Sequence, residues 1–366
     1  MNYDVPIKQR LQAKAALAGI PILGTFELTP RCNFQCKMCY VRLTPAEMQP
    51  LGRERTAEEW LSLGRTAFDA GMTFLLLTGG EPLLRPDFPQ IYEGLAKLGL
   101  SVSLNTNGTL ISEEIRALFL RYPPAQVNIT LYGTTRETYA ALCGNADGFD
   151  RVTDALHWLK VQGILVNLNA TLTPWSRNEW QAMEAFAANE QLNFRPTIYT
   201  FPPARRTEAD AYARLPAELT GALMAQREVV QKGKENIPSF LRSVEEAAQP
   251  SCEPVTEGEP MRCFAGKSQF WVTWNGKMTP CGMMSYPVSD PFAADFSDAW
   301  KKLMEETAAI RLCPDCRQCA NRKLCGTCAA VNYTETGSFT GRPDYMCRMI
   351  QAFIDELRSV EQDRTT

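Results

Sequence analysis

The feature that most constrains this chain is a regular alternation of strand-like and helix-like segments between residues 22 and 200. Apolar runs such as Thr73–Thr78 alternate with amphipathic stretches such as Ala57–Ala70 and Phe88–Leu98. Continuous apolar runs are typical of parallel strands that are buried on both faces, and the amphipathic stretches between them are typical of crossover helices. Six such β/α units in succession predict a mostly parallel sheet with right-handed connections.

Six units are fewer than the eight that close a full (β/α) barrel, so we predict an α/β fold with an open, partial (β/α)6 barrel. The predicted strands are Gly24–Thr29, Thr73–Thr78, Ser101–Asn105, Gln126–Leu131, Ile164–Thr171 and Leu192–Ile198. In such sheets the ligand site lies at the carboxyl ends of the strands. The loops with candidate chemistry all follow strand ends, namely Cys32–Cys39, Gly79–Pro82, Asn105–Gly108 and Thr130–Gly133.

The first of these loops has three cysteines, Cys32, Cys36 and Cys39, in the spacing C-x3-C-x2-C. Thiolates are preferred ligands of iron–sulfur clusters, and a cluster held by four cysteines is an electron relay. Three cysteines can ligate three irons of a [4Fe–4S] cluster and leave the fourth iron open to a substrate or cofactor. A zinc knuckle or a set of buried thiols is the alternative that this loop alone leaves open.

The other loops have groups that suit an organic ligand. The glycines of Gly79–Pro82 let the backbone approach a ligand closely, and Glu81 can accept hydrogen bonds from an ammonium group. Asn105, Asn107 and Thr130 supply neutral donors and acceptors suited to ribose hydroxyls or a carboxylate. Each also fits an ordinary glycine turn or a cap.

A second block of cysteines follows a boundary rich in Pro and Glu at residues 250–260. It begins around a predicted β-hairpin, Phe270–Trp274 and Lys277–Thr279. Its members are Cys263, Cys281, Cys313, Cys316, Cys319, Cys325, Cys328 and Cys347. A zinc ribbon built from two C-x2-C pairs would leave four of them without a role, whereas two iron–sulfur clusters use nearly all.

Composition excludes several classes of protein. The formal net charge of −3 gives no basic surface for nucleic acid. We find no apolar run long enough for a membrane span and no signal peptide, so we expect a cytoplasmic protein in which the 13 cysteines serve metal or catalysis rather than disulfides. The only histidine, His157, lies in the amphipathic stretch Asp154–Lys160, so no histidine-based site can be assembled.

With both cysteine blocks in view, the chain resembles radical S-adenosylmethionine (SAM) enzymes that carry a C-terminal SPASM domain, over about residues 22–350. The resemblance rests on the C-x3-C-x2-C loop, the glycine loop Gly79–Pro82 and the six β/α units. It rests also on two patterns in the second block, C-x12-G-x4-C from Cys263 to Cys281 and C-x2-C-x5-C from Cys316 to Cys325. It implies that the open iron chelates the amino and carboxylate groups of SAM. One electron, from a donor such as flavodoxin or ferredoxin, then cleaves SAM to methionine and a 5′-deoxyadenosyl radical, which abstracts hydrogen from the substrate.

The resemblance also implies roles for individual residues. Cys32, Cys36 and Cys39 would hold the SAM cluster. The implied cofactor-binding residues are Met38, Tyr40, Gly79, Gly80, Glu81, Pro82, Asn105, Asn107 and Thr130. The backbone of the glycine loop would bind the methionine amino group, and the asparagines and the threonine would contact ribose or carboxylate. Met38 stands where the family often has an aromatic residue, and Tyr40 offers a ring beside it.

Two auxiliary iron–sulfur clusters, expected to be [4Fe–4S], are implied for the C-terminal domain. The second would be held by Cys316, Cys319, Cys325 and Cys347. The first would take Cys263, Cys281 and Cys328, and its fourth ligand is Cys252, Cys313 or an open position for substrate. The C-x2-C at Cys325 and Cys328 is shorter than the three-residue spacing usual in the family. Cys143 matches no cluster motif and is either a hydrogen-atom donor or, as we favour, a plain buried thiol.

We therefore expect an N-terminal arm (1–21), a radical SAM barrel (22–240), a linker (241–260), a SPASM domain (261–350) and a C-terminal helix or tail (351–366). We expect a maturase that forms a thioether or carbon–carbon cross-link, or oxidises a side chain, in a peptide or protein. Gly282 stands where sulfatase maturases have Asp, which counts against formylglycine formation. The segment before residue 22 is too short for the peptide-recognition domain of many maturases, so leader recognition would need the arm, the linker or a separate protein.

Two alternatives remain open at this point. One is a radical SAM enzyme that modifies a small molecule, for example as a dehydrogenase. The other is a non-catalytic iron–sulfur or zinc protein for electron transfer, which the position of Gly79–Pro82 at a strand end disfavours.

Overall fold

The computed structural model describes residues 6–203, 214–246 and 258–362 of the chain. The contacts between residues divide the chain into two compact units. Unit 1 comprises Met1–Thr197, Pro203–Tyr212 and Cys263–Ala308. Unit 2 comprises Ile198–Pro202, Ala213–Arg262 and Ala309–Thr366.

Unit 1 is built on one sheet. The strands of its described residues are β1 (Leu23–Glu27), β2 (Phe74–Thr78), β3 (Ser101–Thr106), β4 (Gln126–Thr130), β5 (Val166–Thr171), β6 (Asn193–Thr197), β7 (Gln269–Val272) and β8 (Met278–Thr279). The first six pair in chain order and are all parallel, and β7 pairs in parallel with the other side of β1. Since β1 and β6 do not pair with each other, the barrel is open. The predicted α/β fold with an open (β/α)6 barrel is confirmed.

The helices of unit 1 complete the β/α units. They are α1 (Ile7–Ala18), α2 (Pro45–Met48), α3 (Ala57–Asp69), α4 (Phe88–Lys97), α5 (Glu113–Arg121), α6 (Arg136–Cys143), α7 (Gly148–Val161) and α8 (Trp180–Asn189). Local signals explain their ends, as in α3, where Thr56 and Glu59 form a capping box. Helix α6 was not predicted, although Thr135 caps its start and Gly144, at φ +72°, ends it.

The two faces of the barrel strands differ in polarity. Alternate residues point to one face, where Leu104, Val127, Ile129 and Leu168 are fully buried. The residues between them on β3, β4 and β5 are Ser, Asn, Gln and Thr. The sheet therefore has one apolar, packed face and one polar face.

The predicted hairpin of the second cysteine block is confirmed, since β7 and β8 pair antiparallel around Gly276 at φ +92°. Its neighbour in the sheet is β1. This pairing groups Cys263–Ala308, including the helix Phe296–Ala308, with unit 1, whereas the predicted boundary groups this segment with residues 261–350. Pairing with β7 covers an edge of β1 that would otherwise expose its backbone.

Unit 2 is helical in its described residues. Its helices, numbered in chain order, are α9 (Ala217–Lys232), α10 (Ile237–Glu246), α12 (Pro314–Gln318), α13 (Ala329–Thr336) and α14 (Asp344–Gln362), and α11 (Phe296–Ala308) belongs to unit 1. Helices α9, α10 and α14 share a core that includes Ala225, Ile237, Leu241, Met349 and Leu357. Nowhere in the described ranges is a helix long and apolar enough to cross a membrane.

Candidate active site

The three cysteines of the predicted cluster site lie in the loop that leaves the carboxyl end of β1. Cys36 is buried, and Cys32 and Cys39 are half-buried. At the start of the loop, the Leu28 N–H donates a hydrogen bond of 2.8 Å to the Thr78 carbonyl at the end of β2. The loop is therefore fixed to the neighbouring strand before the first cysteine.

The glycine loop after β2 packs directly against the cysteine loop. The N–H groups of Gly80 and Glu81 donate to the carbonyls of Thr29 and Arg31, at 2.7 and 2.8 Å. A Cβ atom on Gly79 or Gly80 would lie closer than 3 Å to these same carbonyl oxygens. The close approach of the two loops thus requires glycine at both positions. Since glycine has no side chain, the polar groups that Gly79 and Gly80 can offer to an ammonium group are their backbone carbonyls.

Backbone and side-chain N–H groups point at two of the sulfur atoms. Cys32 Sγ accepts from the Phe34 N–H at 3.4 Å and from Asn107 Nδ2 at 3.8 Å. Cys39 Sγ accepts from the Arg42 N–H at 3.2 Å. Donors of this kind stabilise a ligating thiolate and tune a cluster that it holds.

The loop around Cys36 is docked on the end of α6. The Gln35 N–H donates to the Cys143 carbonyl at 2.8 Å, and the Lys37 N–H donates to the preceding carbonyl at 3.1 Å. Hydrogen bonds from the Cys143 thiol and from the Tyr132 hydroxyl lower the pKa of Cys36. Cys143 is therefore a buried thiol in contact with the predicted cluster loop.

These thiols fit an iron–sulfur cluster. Burial raises the pKa of Cys32 to about 12, so its thiolate requires a cation at the site, which iron would supply. Among the described residues, no three His, Cys, Asp or Glu side chains converge on a point that would hold a single metal ion. A [4Fe–4S] cluster takes one thiolate on each of several irons, so it does not need such convergence.

The Glu81 carboxylate is fully buried and joins the loops after β2 and β3. It accepts hydrogen bonds from the Leu83 N–H at 3.0 Å, the Thr106 hydroxyl at 2.8 Å and the Asn107 N–H at 2.7 Å. Burial raises its pKa to about 7 against the opposing effect of these donors. Both carboxylate oxygens thus accept hydrogen bonds from within the protein. The part of Glu81 that remains for a ligand is its backbone.

Asn107 connects the loop after β3 with the cysteine loop. Its Nδ2 donates to Asn33 Oδ1 at 2.8 Å, and its Oδ1 accepts from the backbone and the hydroxyl of Thr109 at 3.0 and 2.6 Å. The side chain is buried. It fixes the position of the Cys32 segment whether or not it also touches a ligand.

The remaining predicted contacts are spread around this centre. Met38 is buried and Tyr40 half-buried, both within the cysteine loop, and Thr130 is half-buried at the end of β4. Asn105 lies two residues deeper in the barrel than Asn107, and its Oδ1 accepts from Asn128 Nδ2 at 2.7 Å. Their roles toward a cofactor stay predictions.

Sequence reasoning missed Asn33, Tyr132 and the helix that presents Cys143. A signal existed for Tyr132, because it lies in the loop Thr130–Gly133, which follows a strand end. For Asn33 and Cys143 the sequence held no such signal, since their partners are 74 and 107 residues away along the chain.

In unit 2, four cysteines line one cavity of about 470 Å³. They are the four predicted for the second auxiliary cluster, namely Cys316, Cys319, Cys325 and Cys347. Arg322 lines the same cavity and donates to the Cys325 carbonyl at 3.2 Å. Burial raises the pKa of Cys316 to about 12, so a cation would be needed here too to hold it as a thiolate.

The other cysteines of the second block have diverse surroundings. In unit 2, Cys313 is buried at the start of α12, and Cys328 is half-buried at the start of α13. In unit 1, Cys263 is exposed and Cys281 is half-buried. Cys252 lies outside the described residues. The ligand set of the first auxiliary cluster stays a prediction.

With the fold and the cysteine site in place, comparison with known proteins identifies the class. Residues 26–187 match the model of the Radical SAM superfamily. The chain thus carries a radical SAM domain and has homologues among the SPASM-type maturases.

Two curated relatives and one solved structure span most of the chain. The AdoMet-dependent heme synthase of Methanosarcina barkeri is 25% identical over 354 residues, covering 90% of this chain and 97% of the relative. The antilisterial bacteriocin subtilosin biosynthesis protein AlbA of Bacillus subtilis is 23% identical over 296 residues, covering 80% and 61%. The crystal structure of Streptococcus suis SuiB has a TM-score of 0.65 at 18% identity, covering 95% and 84%, and it shares the fold.

Proposed function

We propose that this radical SAM enzyme abstracts a hydrogen atom from a peptide or protein substrate and thereby starts a post-translational modification. The modification would be a thioether or carbon–carbon cross-link, or the oxidation of a side chain. The observation that carries the radical part of the proposal is the backbone pairing of the glycine loop with the three-cysteine loop at the carboxyl edge of the sheet.

In this proposal each part of the site has one task. Cys32, Cys36 and Cys39 would hold a [4Fe–4S] cluster, which together with SAM would supply reductive bond cleavage and a hydrogen-abstracting radical. The backbone carbonyls of Gly79 and Gly80 would bind the SAM ammonium group. Met38, Tyr40, Asn105, Asn107 and Thr130 would orient the rest of the cofactor.

The cysteine cavity of unit 2 would hold an auxiliary [4Fe–4S] cluster through its four cysteines. The first auxiliary cluster would use Cys263, Cys281 and Cys328, with Cys252, Cys313 or an open position as the fourth. An acceptor of electrons is needed wherever the substrate radical is oxidised, which auxiliary clusters can supply. The partners in this proposal are the peptide or protein substrate and a flavodoxin- or ferredoxin-type electron donor, and leader recognition would use the N-terminal arm, the linker or a separate protein.

Two relatives support a peptide substrate. AlbA is named for the biosynthesis of a bacteriocin, and SuiB has been solved with a bound precursor peptide, SuiA. A second candidate, modification of a tetrapyrrole, is favoured by the heme synthase relative, which aligns over nearly its whole length.

The test uses anaerobically purified protein with dithionite and SAM. We expect about twelve irons per chain and production of 5′-deoxyadenosine, because three [4Fe–4S] clusters hold four irons each. Cys36→Ala should abolish cleavage, and Cys347→Ala should leave some uncoupled cleavage but no modified product. Cleavage by Cys36→Ala at the rate of the parent would refute the assignment of the first loop.

Substrate class is tested in the same reaction mixture. A precursor peptide that is consumed only when SAM is present would support the peptide proposal. Consumption of a haem precursor under the same conditions, with no peptide modified, would favour the tetrapyrrole alternative.

A further inference from the structure

Four asparagines stand side by side across the polar face of the barrel sheet. Residues Asn105, Asn128, Asn167 and Asn193 share one register on β3, β4, β5 and β6. We call them the amide row. Asn128 Nδ2 donates to Asn105 Oδ1 at 2.7 Å, Asn167 Nδ2 donates to Asn128 Oδ1 at 3.0 Å, and the amides of Asn167 and Asn193 lie 2.7 Å apart.

Packing does not account for the amide row. Asparagine is depleted in strands, and a sheet face that served only as core would be filled by apolar side chains. The opposite face of the same strands shows that pattern, with Leu104, Val127 and Leu168 fully buried. Four aligned amides therefore require another explanation.

The row has unused hydrogen-bonding capacity. A primary amide has two N–H donors and two acceptor lone pairs, and a bond to each neighbour uses one of each kind. Asn105 therefore keeps two N–H groups and one lone pair, and Asn128 keeps one N–H group, because Asn128 Oδ1 also accepts from Gln126 Nε2. Asn105 and Asn128 are half-buried, so a ligand can reach these groups, whereas Asn167 is buried and the exposed Asn193 amide lies 3.1 Å from the Arg195 guanidinium.

The charge of this face selects among ligands. On the polar face of the described strands β1 to β7, the charged side chains are Glu27 and Arg195. Arg195 lies 3.1 Å from the Asn193 amide at the exposed end of the row, and the other neighbours, including Gln126, Thr130 and Asn169, are neutral. A face with one anion and one cation suits a neutral ligand, whereas a tetrapyrrole with several carboxylates would call for several cations.

The row lies close to the proposed chemistry. Asn107, which contacts the cysteine loop, follows Asn105 by two residues of extended chain, or about 7 Å. A ligand held by the row would thus lie immediately below the edge where the cysteine and glycine loops meet.

We propose that the amide row binds the peptide groups of an uncharged segment of the substrate. A peptide backbone presents N–H and C=O groups at regular spacing. Its C=O groups can accept from the remaining N–H groups of Asn105 and Asn128, and one of its N–H groups can donate to Asn105 Oδ1. This inference rests on the proposed function, because it names the substrate surface that the radical site would act on.

The experiment compares the parent with Asn128→Leu, which keeps similar volume and removes the hydrogen-bonding groups. The probe is a pool of N-acetylated, C-amidated, uncharged pentapeptides, and binding to anaerobic protein is measured by equilibrium dialysis with mass spectrometry. Asn193→Leu tests the exposed end of the row, where a change is least able to disturb folding. Asn189→Leu, at the exposed end of α8, is the matched control.

We expect the parent and Asn189→Leu to retain members of the pool, and Asn128→Leu and Asn193→Leu to bind them at least about tenfold more weakly, as the loss of one or two hydrogen bonds implies. Equal binding by all four proteins, no binding by the parent, or tight binding of a tetracarboxylate porphyrin that Asn128→Leu weakens would each overturn the inference.

Cleavage of SAM by dithionite-reduced protein separates the two proposals. If Asn128→Leu cleaves SAM like the parent and also binds peptides like the parent, the amide-row inference fails and the radical SAM assignment stands. If the parent itself forms no 5′-deoxyadenosine, the failure belongs to the proposed function.

Discussion

Glu81→Gln should remove a pH dependence of folding stability that the buried carboxylate creates. Burial raises the pKa of Glu81 from 4.5 to about 7. The folded protein then holds a proton that the unfolded chain has already lost, so stability is highest below about pH 4.5 and falls as the pH rises through 7. The whole pKa shift corresponds to a loss of about 3 kcal/mol in the free energy of unfolding, of which about 2 kcal/mol is lost between about pH 5.5 and pH 8.

The substitution also has a cost that does not vary with pH. Gln has one acceptor oxygen, whereas the carboxylate accepts from Leu83, Thr106 and Asn107 on two. One buried donor is left facing an N–H group, at about 1–3 kcal/mol. This cost lowers the free energy of unfolding by the same amount at pH 5.5 and at pH 8. It therefore cancels when the difference in free energy of unfolding between variant and parent at pH 5.5 is subtracted from the same difference at pH 8.

The assay is urea unfolding of the anaerobically purified proteins, followed by circular dichroism, at the two pH values. We expect the stability of Glu81→Gln relative to the parent to improve by about 2 kcal/mol between pH 5.5 and pH 8. Glu113→Gln, whose side chain is 88% exposed, is the control and should show no such change. A pH-independent difference between Glu81→Gln and the parent would refute the inference that burial dominates this carboxyl group.

Two further substitutions test the contacts of the cysteine loop. Gly80→Ala should lower both the iron retained in the first site and the rate of SAM cleavage, because its Cβ would collide with the Arg31 carbonyl. Gly99→Ala is the control: it strains its own turn, at φ +87°, but meets no neighbouring atom and lies away from the cysteine loop, so it should retain the iron. Cys143→Ala should make the reduction potential of the first cluster more negative, because it removes a hydrogen bond to Cys36, whereas Cys143→Ser should restore part of it. Identical potentials in a redox titration of the parent and both variants would show that the thiol does not act on the cluster.

The elements of the barrel could be read from the sequence because their signals are local. The six predicted strands end within two residues of the observed ones, since apolar runs and flanking breakers mark each end. Helix α6 escaped because eight residues give little periodicity, even though its cap residues are favourable. The three cysteines and the glycine pair could be singled out from the sequence because of their spacing and their positions after strand ends, and their roles toward a cofactor stay predictions.

Contacts between distant segments decided the rest. The spacing of Gly79-Gly80 suggested close approach to a ligand, but only the fold shows that the loop approaches the carbonyls of Thr29 and Arg31. Glu81 was expected to face an ammonium group, and burial together with three donors turned its carboxylate inward. These outcomes depend on which strand ends lie side by side.

The sequence by itself determined the β/α alternation, the open barrel and the position of the cysteine loop at a strand end, because each follows from residue type and short-range spacing. The tertiary structure alone decided that β7 joins β1, that Cys143 reaches Cys36, and that four asparagines align across β3 to β6. Strand register is set by the packing of whole units against one another, and a shift of one residue would turn the amide row to the opposite face.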